Sequence, residues 1–175
     1  RIDNENHNIY SILGMISHIN DFPKDLEGKK VVVVGGGAVG LDVVEFFADR
    51  NADISIVEMM DQIGRDLDPV SKNDTKTMMK KHNVHQLTKT ALLEVKDSSF
   101  LVRGDGEPYE LPFEYGFVCL GMRAQGQLYQ SLTEEFSSED VEIMNIGDSQ
   151  RARRIIDGTQ EGRNILTILE QKGYF

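Results

Sequence analysis

Apolar and polar positions change rhythm several times along this chain. Residues 29–37, "KKVVVVGGG", place four consecutive valines between lysines and glycines. An uninterrupted apolar run of that length predicts a strand buried on both faces, as in a parallel sheet. "AVGLDVVEFFADRNA" then puts Val39, Val43, Phe46 and Phe47 at helical spacing, with Asn51 as a suitable stop. "DISIVEM" sets Ile54, Ile56 and Glu58 against Ser55 and Val57, which reads as a second strand. Strand, glycine turn, helix, strand is a βαβ unit, with a right-handed crossover expected.

"DPVSKNDTKTMMKKH" predicts a second helix, with Pro69 in its first turn and Lys80, Lys81 and His82 at its end, both suited to the helix dipole. From Val84 to Gly121 the strands become short. "ALLEV", "SFLVRG" and "YELPFEY" are separated by "KDS" and "GDGE", turn signals that predict an antiparallel meander. "YGFVCLG" predicts another buried strand, and "VEIMNIGD" one more. The stretch from Ser149 onward predicts a long helix with Ile155, Ile156, Ile165, Leu166 and Leu169 on its apolar side. Gly158 and Gly162 weaken that helix by roughly 1 kcal/mol each unless something packs closely against them. Residues 1–30 read as an approach segment, 31–122 as one domain, 123–140 as a polar crossing and 141–175 as part of another domain.

Composition narrows the function. The 175 residues are 39% hydrophobic and 27% charged, enough for a real core. A net charge of -10 argues against nucleic acid, which needs a basic face. No apolar stretch reaches the roughly 20 residues of a membrane span. "RIDNENHNIY" carries neither an initiator Met nor a secretory signal, and a single cysteine, Cys119, fits a reducing cytosol. Its place in "FVCLG" reads as a buried small residue. His82 and His85 form an HxxH without a further ligand at zinc-like spacing, so no metal is assigned. The sequence leaves the oligomeric state open.

The candidate chemistry lies in "GGGAVG". Gly35, Gly37 and Gly40 satisfy G-x-G-x-x-G between a strand and a helix, the context that a dinucleotide fingerprint requires. Gly35 permits the tight turn, Gly37 bares the backbone to a pyrophosphate, and Gly40 allows close helix–strand packing. Gly36, Ala38 and Val39 complete the loop and helix start, whose N–H groups attract an anion. Glu58 lies 18 residues beyond Gly40 (58 − 40 = 18), close to the ~20 expected for a ribose-binding carboxylate. Such a carboxylate accepts from a 2′-hydroxyl and repels a 2′-phosphate, favouring NAD(H) over NADP. A solvated strand-end charge is the alternative. No G-x-x-x-x-G-K-[ST] occurs, nor any Tyr followed four residues later by Lys. S-adenosylmethionine enzymes are the competing class, but they leave "IGD" at 146–148 unexplained.

Fingerprint, antiparallel insertion, closing strand at Gly121 and later "IGD" together resemble the glutathione-reductase-like flavoproteins with two dinucleotide-binding domains. The resemblance implies an α/β fold: a Rossmann-like NAD-binding domain with a parallel sheet and a three-stranded antiparallel insertion, then a C-terminal strand–helix fragment of the FAD domain. "VVVVGGGAVGLDVVEFFADRNADISIVEMMDQIGRDLDP" and "IGDSQRARRIIDGTQEG" are similar to the C-terminal portion of NADH:flavin oxidoreductases of the 2,4-dienoyl-CoA reductase and enoate reductase type. On that resemblance, Gly147 and Asp148 bind the FAD ribitol, with N–H groups at Ser149 and Gln150 facing its phosphates. N-capping of the last helix is the other role open to Asp148. FAD's own fingerprint would precede residue 1, so only a partial FAD site is expected here, and a colourless protein with it.

The same resemblance puts Met59 beside Glu58, Leu92 beside adenine and Gly121 beside the cofactor. It puts Asp42 near the nicotinamide, where the family often has Glu. "GMRAQ" departs from the family's usual G-x-x-P-N. The expected protein is a cytoplasmic enzyme in which hydride passes from NADH to flavin, then to FMN and an iron–sulfur cluster in a barrel domain outside these residues. No catalytic residue is assigned to this chain. A dihydrolipoamide dehydrogenase-like or NADH oxidase-like disulfide oxidoreductase, or a non-catalytic nucleotide-binding domain, stays open.

Overall fold

The computed structural model describes residues 3–137 and 141–174. It divides into two compact units, Arg1–Gly121 and Met122–Phe175.

In the first unit β1 (Ile9–Ser11) runs into α1 (Ile12–Ser17), and β2 (Lys30–Val34), α2 (Ala38–Ala48) and β3 (Asp53–Val57) follow. Next come α3 (Pro69–Lys81), β4 (His85–Leu87), β5 (Ala91–Val95), β6 (Ser99–Arg103), β7 (Tyr109–Pro112) and β8 (Tyr115–Val118). Five strands form a parallel sheet in the order β1-β8-β2-β3-β4. The order β5-β6-β7 forms a separate antiparallel sheet.

The four valines show why β2 carries no polar position after Lys30. Val31 and Val33 join one core with Leu41, Val43, Val44 and Phe47 of α2 and Met79 of α3. Val32 and Val34 join the other, with Phe100 and Val102 of β6 and Phe113. Around β2, one face of the parallel sheet is thus covered by helices and the other by the small sheet, and Val31–Val34 are buried on both sides. Asp68 caps α3, its Oδ1 accepting the N–H groups of Val70 at 3.0 Å and Ser71 at 3.1 Å. Asn51 ends the α2 region with a positive φ of 60°, a conformation that asparagine tolerates.

Two expectations change in this unit. Residues 1–30 contribute core elements: β1 pairs with β8 (Ile9↔Gly116), and Ile9, Tyr10, Met15, Phe22 and Leu26 are buried. Phe22 meets Phe47 edge-on at 5.2 Å between ring centroids, so a mixed-charge stretch supplies an aromatic anchor. β4, absent from the sequence reading, pairs with β3 at the sheet edge.

The second unit holds α4 (Gln127–Glu135), a 3₁₀ turn at Gly147–Ser149 and α5 (Ile155–Gln171). The polar crossing therefore contains a helix, although none of its residues is buried. Residues 141–146 form no strand: the apolar pattern is present, but no described strand pairs with it, and a ladder needs a neighbour's backbone. Gly158 does have a close neighbour, since a Cβ there would lie 3.2 Å from the Gly147 Cα.

Candidate functional site

Ligands of open α/β sheets sit beyond the carboxyl ends of the strands. Beyond β2, β3 and β8 the first unit encloses a cleft of about 530 Å³. Gly35, Gly37, Ala38 and Val39 line it after β2, and Glu58 and Met59 after β3. Leu92 of β5 and Gly121 after β8 close it. The chain thereby brings eight of the sequence-derived site residues together from segments up to 86 positions apart (121 − 35 = 86).

The glycines have separable tasks. Gly35 has φ +109°, and a Cβ there would lie 2.8 Å from the Cys119 carbonyl carbon, with the oxygen nearer still. Gly40 is buried, and a Cβ on it would lie 3.0 Å from the carbonyl carbon of Gly35, so α2 rests directly on the turn. Gly37 differs: nothing lies within 4 Å of the Cβ it lacks. It is also the N-cap of α2 and provides no side-chain acceptor. An uncapped helix start with a positive dipole end and empty space beside Gly37 fits a diphosphate.

Glu58 follows the end of β3 on the wall of the cleft. Its Oε2 accepts the Gly36 N–H and its Oε1 the Met60 N–H, each at 2.7 Å. An ionised carboxylate has about four acceptor positions, so these two bonds leave about two for other donors. Among the described residues no Lys, Arg or His lines the cleft.

Of the six lining residues that went unassigned in the sequence, three stand out. Thr90 is buried, its N–H donating to the Glu58 carbonyl at 2.9 Å. Cys119 is buried, and desolvation pushes its thiol up to about 11. Leu120 is 67% exposed on the rim. The one available signal was their place just past a strand's carboxyl end.

Asp42 does not line this cleft. It lines a separate depression with Glu45, Ser71 and Asp74, where desolvation holds its carboxyl above the usual range. Gly36 and Gly40 stand behind the wall as supports.

In the second unit Gly147 has φ +64° and donates its N–H to Glu161 Oε2 at 2.7 Å, and Glu161 also pairs with Arg153. These contacts, the Gly147 N–H first, hold the Glu161 carboxyl below its usual range. Asp148 Oδ1 accepts the Arg153 N–H at 3.2 Å. Asp148 does not cap α5, whose N-cap is Arg154. Ser149 and Gln150 precede that helix by several residues, and Ser149 Oγ donates to Asn145 Oδ1 at 2.6 Å. The expected helix start at 149–150 is thus a 3₁₀ turn and loop.

A family model described as pyridine nucleotide-disulphide oxidoreductase matches residues 2–145. The chain belongs to that family. Membership makes it part of an oxidoreductase enzyme family that uses FAD and NAD(P)H. Among curated relatives it is 26% identical to a metal reductase of Desulforamulus reducens, covering 78% of this chain and 24% of that protein. It is 25% identical to an NADH oxidase of Thermoanaerobacter brockii, covering 91% and 24%. It is 27% identical to a bilirubin reductase of Mediterraneibacter gnavus, covering 83% and 22%. The chain thus spans about a quarter of the length of these relatives. A 2-naphthoyl-CoA reductase structure shares the fold, with a TM-score of 0.64 at 20% identity over 82% of this chain and 21% of that one. No helix among the described residues is long and apolar enough to cross a membrane.

Proposed function

We propose that this chain is the NADH-binding module of an FAD-dependent oxidoreductase. The observation that carries the reading is one cleft bounded by the bare backbone of Gly37 and by the carboxylate of Glu58. The N–H groups at the start of α2 hold the diphosphate, and the two free acceptor positions of Glu58 take the adenosine ribose. Met59 and Leu92 offer apolar contact to the adenine, and Gly121 leaves backbone open on the far side. With a carboxylate present and, among the described residues, no cation on the lining, a 2′-phosphate would be repelled. When bound, NADH supplies a hydride to flavin, and the chain's part is orientation.

Gly147 and Asp148 form the chain's portion of the FAD site. The remainder of that site, and a barrel carrying FMN and an iron–sulfur cluster that reduces an enoate or 2,4-dienoyl-CoA type substrate, belong to the longer protein. Support comes from relatives named as reductases and an NADH oxidase that align with 78–91% of the chain. A disulfide oxidoreductase is the second reading, favoured by dihydrolipoyl dehydrogenase relatives up to 32% identical, though one such relative covers only 57% of the chain. Cys119, buried and the single cysteine of these residues, has no cysteine partner for it here.

Calorimetry with NADH and NADPH tests the reading. NADH should bind more tightly, and Glu58→Ala should weaken it by more than about tenfold, an effect above ~1.4 kcal/mol. Preference for NADPH would overturn the role given to Glu58.

A further inference from the structure

We propose that Glu58 is a positioning residue that holds the glycine turn in shape for the diphosphate, in addition to meeting the ribose. The inference rests on the nucleotide reading of the cleft.

The Gly36 peptide is gripped from both edges. Its N–H donates to Glu58 Oε2, and its carbonyl accepts the Gly64 N–H, each at 2.7 Å. The other Glu58 oxygen takes the Met60 N–H at 2.7 Å. One carboxylate therefore joins the turn after β2 to the loop after β3, and Gly37, the residue that faces the diphosphate, follows directly.

Residue 36 is a free position in the G-x-G-x-x-G pattern, yet it is not free here. A Cβ on Gly36 would lie 3.0 Å from Glu58 Oε2, and 3.1 Å from Glu58 Cβ and Ile63 Cγ1. A third glycine in the run is what lets the carboxylate reach the backbone. Gly36 is buried, so removing the acceptor leaves its N–H unpaired away from water, and the turn must shift to satisfy it. Charge-assisted bonds of this kind are about twice as strong as neutral ones.

The test uses an NADH analogue whose adenosine ribose lacks both hydroxyls, so that no sugar contact to Glu58 exists. If Glu58 positions the turn, Glu58→Ala binds this analogue about tenfold more weakly than the unsubstituted chain does. Equal binding overturns the proposal. Glu58→Gln keeps one acceptor oxygen but sets an NH₂ against a backbone N–H, so an intermediate loss is expected. Without ligand, amide hydrogen exchange at Gly36 and Met60 should be slow in the unsubstituted chain and faster in both variants. Unchanged exchange sinks the idea. A chain that binds no nucleotide at all defeats the nucleotide reading, while the exchange result still decides whether Glu58 holds the turn.

Discussion

A Cβ at Gly35 would collide with the carbonyl of Cys119, coming 2.8 Å from its carbon. The turn after β2 is thereby seated against the end of β8, and with φ at +109° no L side chain fits without strain. Gly35→Ala should destabilise the protein by about 2 kcal/mol or more, since strain and overlap add. A denaturant midpoint within error of the unsubstituted chain would contradict this seating.

Gly37→Ala should behave differently. The space beside Gly37 is empty, so the added methyl displaces nothing in the protein and the denaturant midpoint should hardly move. The same methyl stands where a diphosphate would touch the backbone. NADH affinity should fall about tenfold or more, by calorimetry. Retained affinity would place the diphosphate elsewhere.

Asp68 gives stability a dependence on acid. Its carboxyl lies below the ordinary 3.8, chiefly because the side chain and backbone of Ser71 donate to it. A folded pKa below the unfolded one means the contribution is complete above the unfolded value and disappears as pH falls through the folded value. Thermal unfolding from pH 6 down to pH 2 should show Asp68→Asn losing less of its midpoint than the unsubstituted chain. Parallel curves would dismiss the cap as a pH-sensitive contact.

Cys119 should resist alkylation in the folded chain. Burial raises its thiol to about 11, so at pH 8 roughly one part in a thousand is the reactive thiolate, before access is considered. Mass spectrometry should find iodoacetamide labelling slow in the folded protein and fast in denaturant. Rapid labelling of the folded chain would show the cleft wall opening.

The sequence signals that held were local. Four valines, three glycines and a helical stripe lie within residues 31–48, and the turns between β5, β6 and β7 follow from neighbouring residues. The signals that failed concerned distant partners. β1 is three residues long and pairs with β8 more than 100 positions away, Ile9 opposite Gly116. Residues 141–146 have a strand's pattern without a strand's neighbour. Asp42 sits two places past Gly40, as the family resemblance expects, yet it lines a different depression.

Order along the chain thus determined the βαβ unit, the glycine turn and the acid spaced to meet it, because each depends on backbone freedom and side-chain period within a few residues. Only the tertiary structure decided that Leu92 and Gly121 share the cleft with Gly37. It also decided that Ile9, Tyr10, Met15, Phe22 and Leu26 are core, and that Glu58 spends two acceptor positions on backbone amides. Those outcomes depend on which surfaces exclude water together and which N–H groups are left needing an acceptor, and neither is settled until the whole sheet has closed.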